Sequence, residues 1–180
     1  MQKNNVQKLA TAGMLLALSV IFGFLKIPIT NTMEIRFQSL PVALAGMLLG
    51  PVPGMLVGAL TDFLSYIVKP TGPYFMGFLV SYALIGLVFG LIARVSKSGA
   101  GMLARIICAQ VITSVFIDAL LNSYWLSVLY GSPFKAVLIS RIPKEILMFF
   151  ISCALLYLVV KPVRKYAAQY LPSDNKASRA

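Results

Sequence analysis

Histidine is absent from these 180 residues. That absence removes Ser–His and Cys–His nucleophile pairs and the HExxH zinc site together. Cysteine is scarce: Cys108 and Cys153 sit inside apolar stretches without CxxC or other metal-ligand spacing, and read as inert packing residues. No GxxxxGK[ST] loop occurs, so ATP has no Walker-type cradle here. With those chemistries gone, a Ser–Lys or diaspartate membrane hydrolase is the enzyme class still open; acidic residues number only 5. No catalytic residue, metal site or cofactor is expected.

Charge of either sign is also sparse, at 12%, whereas a soluble domain carries about a quarter. Hydrophobic residues reach 59%, more than one soluble core of this length can hide. The bilayer is the solvent that fits. The expected fold is all-α and membrane-integral: a single domain over 1–180 with about six transmembrane helices, each near the roughly 20 apolar residues of a span. They are expected at about 6–25, 37–49, 55–68, 74–95, 102–129 and 134–160. The first is followed at once by further apolar segments, so it reads as a span rather than a cleaved leader. Lys26 to Arg36 reads as a polar loop. Gly50-Pro51-Val52-Pro53-Gly54, Lys69-Pro70-Thr71-Gly72-Pro73 and Tyr130-Gly131-Ser132-Pro133 read as breaks, and Lys161-Pro162 as the end of the last helix. Gly13-x-x-x-Ala17, Gly46-x-x-x-Gly50, Gly54-x-x-x-Gly58 and Gly86-x-x-x-Gly90 are spaced for close helix approach in lipid, either inside the bundle or against a partner.

The net charge of +11 does not form a continuous basic face, which argues against nucleic acid. The cations flank the apolar segments instead. With an even number of spans, the side holding both termini carries the larger share of Lys and Arg, which puts both termini in the cytoplasm. The outer side still holds Lys26, Arg36, Lys69, Lys135, Arg141 and Lys144, against only Glu34 and Glu145. Outer cations run against the positive-inside tendency. A cavity that receives an anionic solute would use them; snorkelling to headgroups is the bland account.

Individual residues sharpen that reading. Arg36 stands where helix 2 is expected to begin, and its fork can hold a carboxylate bidentately. Arg141 and Lys144 lie three apart and share a helix face, with an internal salt bridge to Glu145 as the competing use. Asp62 and Asp118 fall inside apolar helices and need hydrogen-bond partners. Asp118, Asn122 and Trp125 follow at helical spacing, as one stripe able to stack on and hydrogen-bond a flat heteroaromatic ring. Phe37, Tyr66, Tyr74, Phe75, Phe78 and Tyr130 belong to an outer aromatic rim that either anchors at the interface or walls a pocket.

Arg36-Phe37-Gln38-Ser39-Leu40-Pro41, Gly50-Pro51-Val52-Pro53-Gly54, Pro70-Thr71-Gly72-Pro73-Tyr74-Phe75 and Leu121-Asn122-Ser123-Tyr124-Trp125-Leu126-Ser127 follow in this order. From helix 1 to Pro162 the chain resembles the substrate-binding S components of energy-coupling factor (ECF) transporters, in particular their folate group. The resemblance implies a multi-pass protein of the bacterial cell membrane that captures a vitamin at its outer face. It also implies partners: a shared transmembrane coupling subunit and two cytoplasmic ATPases, which hydrolyse ATP in its place. Folate brings a flat pterin and two carboxylates. The implied site sets Asp62, Asn122 and Trp125 at the ring and Arg36, Lys69, Arg141 and Lys144 at the acidic end, with Phe37 at the rim and Lys69, Thr71 and Tyr74 in a loop above. The family docks through an Ala-x-x-x-Ala motif on helix 1, whose place is taken here by Gly13 and Ala17. The alternatives are an S component for another anionic vitamin, such as pantothenate, and a stand-alone porter.

Overall fold

In the computed structural model, the backbone is described for residues 2–24, 26–30, 33–70, 74–95 and 101–170, and side chains for 6–24, 37–70, 74–94 and 101–163. Helix α1 spans Gln2–Phe24, and a hairpin of β1 (Lys26–Thr30) and β2 (Met33–Arg36) follows. Then come α2 (Ser39–Leu49), α3 (Pro51–Val68) and α4 (Met76–Val95). A continuous rod, Met102–Tyr130, is built from α5 (Met102–Ile112), a π-helical segment (Thr113–Leu121) and α6 (Asn122–Tyr130). Helix α7 runs from Phe134 to Tyr170.

Among the described residues, five helices are long and apolar enough to cross a membrane: Val6–Phe24, Pro51–Val68, Met76–Arg94, Met102–Tyr130 and Phe134–Val163. The remaining apolar helix, α2, has 11 residues, or about 16 Å at 1.5 Å per residue, short of a ~30 Å hydrocarbon core. It is buried along most of its length, from Pro41 to Gly46 and at Leu49. A helix that is apolar all round belongs in the interior. Here α1, α3, α4 and α7 enclose it, and Val42, Ala43 and Leu44 join Ile85, Phe89, Ile106, Leu156 and Val160 in the main core.

Within the stretch expected as a polar loop, β1 and β2 instead pair antiparallel, Lys26 with Arg36 and Ile27 with Ile35. The alternating Lys-Ile-Pro-Ile-Thr and Met-Glu-Ile-Arg patterns suit strands, whose cross-strand bonds satisfy backbone groups of both. Arg36 therefore closes β2 rather than opening a helix. The expected break at 50–54 shrinks to one residue. Gly50 takes φ +102°, and α3 starts immediately at Pro51 rather than Met55. Prolines in a first turn lose nothing, because their N–H groups would have no helical partner. Helix α4 begins at Met76, leaving Tyr74 and Phe75 ahead of it. Helix α7 passes through Pro143 and Pro162 and goes on to Tyr170, so Lys161-Pro162 does not end it. An interior proline removes one backbone bond and crowds the carbonyl one turn back, a cost that apolar helices tolerate where neighbouring groups re-satisfy the freed backbone.

The seam joining α2, α3 and α4 is made of glycine backbones. A Cβ placed on Gly54 would stand 2.5 Å from Gly46 Cα and 2.7 Å from the Gly86 carbonyl oxygen. The small-residue spacing of these three helices thus serves internal packing. Gly13 and Ala17 differ: both are exposed on α1, and a Cβ on Gly13 would meet nothing within 4 Å.

Candidate functional site

One cavity of about 290 Å³ lies between the helices, close to the lower bound of ligand pockets, roughly 300–1,000 Å³. Each wall is a stripe of residues at helical spacing. Helix α3 contributes Asp62, Ser65, Tyr66 and Lys69; α7 contributes Arg141, Lys144, Glu145, Met148 and Ser152. The α4 wall is Phe78, Tyr82 and Ile85, with Phe75 just ahead of the helix, and the central rod presents Gln110, Asp118, Asn122, Leu126 and Leu129. Val20, Gly23 and Phe24 of α1, with Gln38 and Ser39, complete it. Because successive helices alternate in direction, Phe24, Lys69, Tyr74 and Tyr130 gather at one end of the bundle. Gln110, Ile85 and Ser152 lie toward the other.

Of the residues expected in the site, Asp62, Lys69, Tyr74, Asn122, Arg141 and Lys144 line this cavity. Phe37 and Trp125 do not. Arg36 ends β2, whose backbone runs beside α7, but its side chain lies outside the described residues, as does Thr71 altogether. The expected stripe of Asp118, Asn122 and Trp125 is corrected in its last member. Beyond Asn122 the cavity face continues through Leu126 and Leu129, which stand four and seven positions on. Trp125 is rotated off that face. It packs on Phe75 at 5.5 Å between ring centroids and on Tyr124 at 5.2 Å, and closes over Gly77. Phe75 is the aromatic that reaches the cavity from this cluster, 6.1 Å from Phe78. The π-helical segment carries Asp118; such segments are rare and concentrate at functional sites.

The charged groups form one cluster. Glu145 Oε1 accepts from Arg141 Nη2 at 3.3 Å and pairs with Lys144 Nζ at 3.5 Å. The internal salt bridge weighed as a competing use is therefore present. Asp118 Oδ1 accepts from Asn122 Nδ2 at 3.1 Å. Lys69 makes no ion pair among the described residues. Three buried polar atoms of the lining have no hydrogen-bond partner among those residues: Arg141 Nη1, Asn122 Oδ1 and Tyr74 Oη. Buried polar atoms are ordinarily paired, so these are places where a polar ligand gains most. Burial pushes the Tyr74 phenol above its ordinary value, and the nearby Asp62 carboxylate adds to the effect.

Sequence reasoning passed over Gln38 and Gln110. Gln38 donates to Ser65 Oγ at 2.8 Å while its backbone carbonyl accepts from Ser19 Oγ at 2.7 Å, tying α1, α2 and α3 together at the cavity wall. Gln110 donates to Ser114 Oγ at 3.3 Å. The signal was there: an amide in an apolar span is as conspicuous as Asp62 or Asp118.

Residues 7–160 match the family model described as "ECF transporter, substrate-specific component". The chain belongs to that family. Two members illustrate the relation. The folate transporter FolT of Clostridium novyi (strain NT) is 32% identical over 144 residues, 79% of this chain and 81% of that one. The riboflavin transporter RibU of Staphylococcus aureus (strain TCH60) is 28% identical over 154 residues, 82% of this chain and 79% of the other. Among solved structures, FolT bound with folic acid superposes with a TM-score of 0.74 at 28% identity, covering 84% of this chain and 90% of that one. The S component for biotin shares the fold, with a TM-score of 0.65 at 23% identity over 89% of this chain and 94% of that one. These relatives are substrate-binding subunits of transporters, not enzymes.

Proposed function

We propose that this S component binds folate with high affinity and serves an ECF-type vitamin uptake transporter. The observation that carries the reading is the cavity itself. It joins aromatic walls (Phe75, Phe78, Tyr66), ring-directed polar groups (Asp62, Asn122) and cations (Lys69, Arg141, Lys144) in one space. Folate needs all three chemistries together: stacking for the pterin, hydrogen bonds for its edge and cations for its glutamate. The likeness to FolT supports the same cargo. Arg36 and Thr71 stay in the proposed site at its rim, with Tyr74 over the ring. Phe37 is left out, and Trp125 backs Phe75 instead of meeting the ligand.

The chain spans the bacterial cell membrane six times in this reading, with α2 and the hairpin together making the short pass and both termini cytoplasmic. The cavity then sits toward the outer face. Capture happens there, and the exposed Gly13–Ala17 face of α1 docks on a transmembrane coupling subunit driven by two cytoplasmic ATPases. This chain, without a phosphate loop, leaves ATP hydrolysis to those partners.

Calorimetry on the detergent-purified chain tests the cargo, with folate, riboflavin and pantothenate as ligands. One-to-one folate binding without ATP is the expected result. Binding of riboflavin or pantothenate in preference to folate would overturn the assigned cargo, and binding of none of the three would reject the reading.

A further inference from the structure

We propose that Glu145 is a built-in stand-in for the ligand's carboxylate: it holds Arg141 and Lys144 in the empty site and is exchanged for the anionic end of the substrate on binding. The inference rests on the folate reading and adds to it a residue that sets affinity and selectivity without itself gripping the ligand.

Glu145 faces the same cavity as the two cations it pairs with. A single oxygen, Oε1, serves both Arg141 Nη2 at 3.3 Å and Lys144 Nζ at 3.5 Å. Charge-assisted hydrogen bonds between such groups ordinarily run about 2.7–2.9 Å, so both contacts are long for their type. The guanidinium is also used on one side only. Nη2 is engaged, while Nη1 is buried and has no partner among the described residues. All three side chains are only 11–14% exposed. Two such cations without any counter-charge would be expensive near lipid, which explains why an acid is kept beside them.

A ligand carboxylate brings two oxygens free of any helix. It can address Nη1 and Nη2 of Arg141 side by side, a geometry that Glu145, placed one turn along the same helix, does not reach here. Exchange then trades one strained pairing for a bidentate one. The other charged groups of the lining do not form this pair. Asp118 stands within electrostatic reach of Arg141, Lys144 and Glu145 but makes no ion pair with either cation among the described residues, its Oδ1 being bound to the Asn122 amide. Asp62 lies on α3 beside Tyr74, and Lys69 stands at the end of α3. A neutral ligand leaves Glu145 in place and gains nothing from the two cations, so the exchange also discriminates against uncharged heteroaromatics.

The test compares folate with 6-hydroxymethylpterin, the uncharged pterin fragment that carries no carboxylate, in the purified wild-type chain and in Glu145→Gln. Wild-type folate binding speaks to the functional reading; the ratio of variant to wild type speaks to Glu145. With the competing charge gone, the variant is expected to bind folate on the order of tenfold more tightly and 6-hydroxymethylpterin within about twofold of wild type. Its ligand-free melting temperature should fall, because the cations lose their nearest counter-charge. Equal or weaker folate binding by the variant overturns the proposal, and so does equal tightening for 6-hydroxymethylpterin. If Glu145→Gln does not fold, Glu145→Asp carries the test, since the shorter side chain retracts the charge from both cations. Selective tightening for folate supports the exchange, and unchanged or weaker binding refutes it.

Discussion

Replacing Gly54 by alanine should loosen the whole cavity without touching a residue that lines it. The added Cβ would sit 2.5 Å from Gly46 Cα, 2.7 Å from the Gly86 carbonyl oxygen and 2.9 Å from Gly46 N, where ordinary contact begins at 3.4 Å. All three obstacles are backbone atoms of α2 and α4, so no side chain can swing aside. The helices themselves must separate. Overpacking of this kind costs about 1–3 kcal/mol. For chains of this length each kcal/mol moves the midpoint by about 2–4 °C, so Gly54→Ala should melt roughly 2–12 °C below wild type. The assay is thermal unfolding of the detergent-purified chain, read by size-exclusion recovery. Gly13→Ala is the control. Its Cβ meets nothing within 4 Å, and its midpoint should stay with the wild type. A Gly54→Ala midpoint within a degree of wild type would refute the idea that these helices meet backbone to backbone.

Three further outcomes are expected. Phe75→Ala should weaken folate binding by about tenfold, in keeping with the ~0.5–1.5 kcal/mol of an aromatic pair, while Trp125→Phe changes it far less; titration calorimetry on both variants separates lining from backing. Ala17→Trp should leave ligand binding intact and abolish uptake in cells carrying the coupling subunit and ATPases, and persistent uptake would move the docking surface elsewhere. For Tyr74, a phenol raised above its ordinary value in the folded chain keeps its proton longer than the unfolded one does. Stability is then full below about pH 10 and declines as pH rises from there through the raised value, a decline that should be shallower in Tyr74→Phe when both are melted across that range.

The helical, membrane-integral class was legible because hydrophobic run length and the absence of phosphate loops and histidine are properties of the chain alone. So were most of the charged and amide groups of the cavity: Lys69, Arg141, Lys144, Asp62 and Asn122 all line it. They could be picked out because a charge or amide in an apolar span is costly wherever the fold puts it. The hairpin at 26–36 was harder to read. Its strands have five and four residues, and so short an alternation is indistinguishable from a polar loop until the strands pair.

Composition and run length therefore settle the inventory and the solvent: which groups exist, and that lipid surrounds them. The tertiary structure decided which groups meet. Helical spacing sends Trp125, three positions after Asn122, toward the same face, yet the cavity follows Leu126 and Leu129, and Phe75, just ahead of α4, takes the aromatic place. The pairing of Glu145 with Arg141 and Lys144 was legible from their spacing, but only the packing of α7 shows that all three side chains line the same cavity. The physical reason is the same in both cases. Helical spacing fixes the angle between residues on one helix, but the direction in which that helix faces is set by its neighbours, through contacts such as the glycine seam, where backbone approach allows only one arrangement.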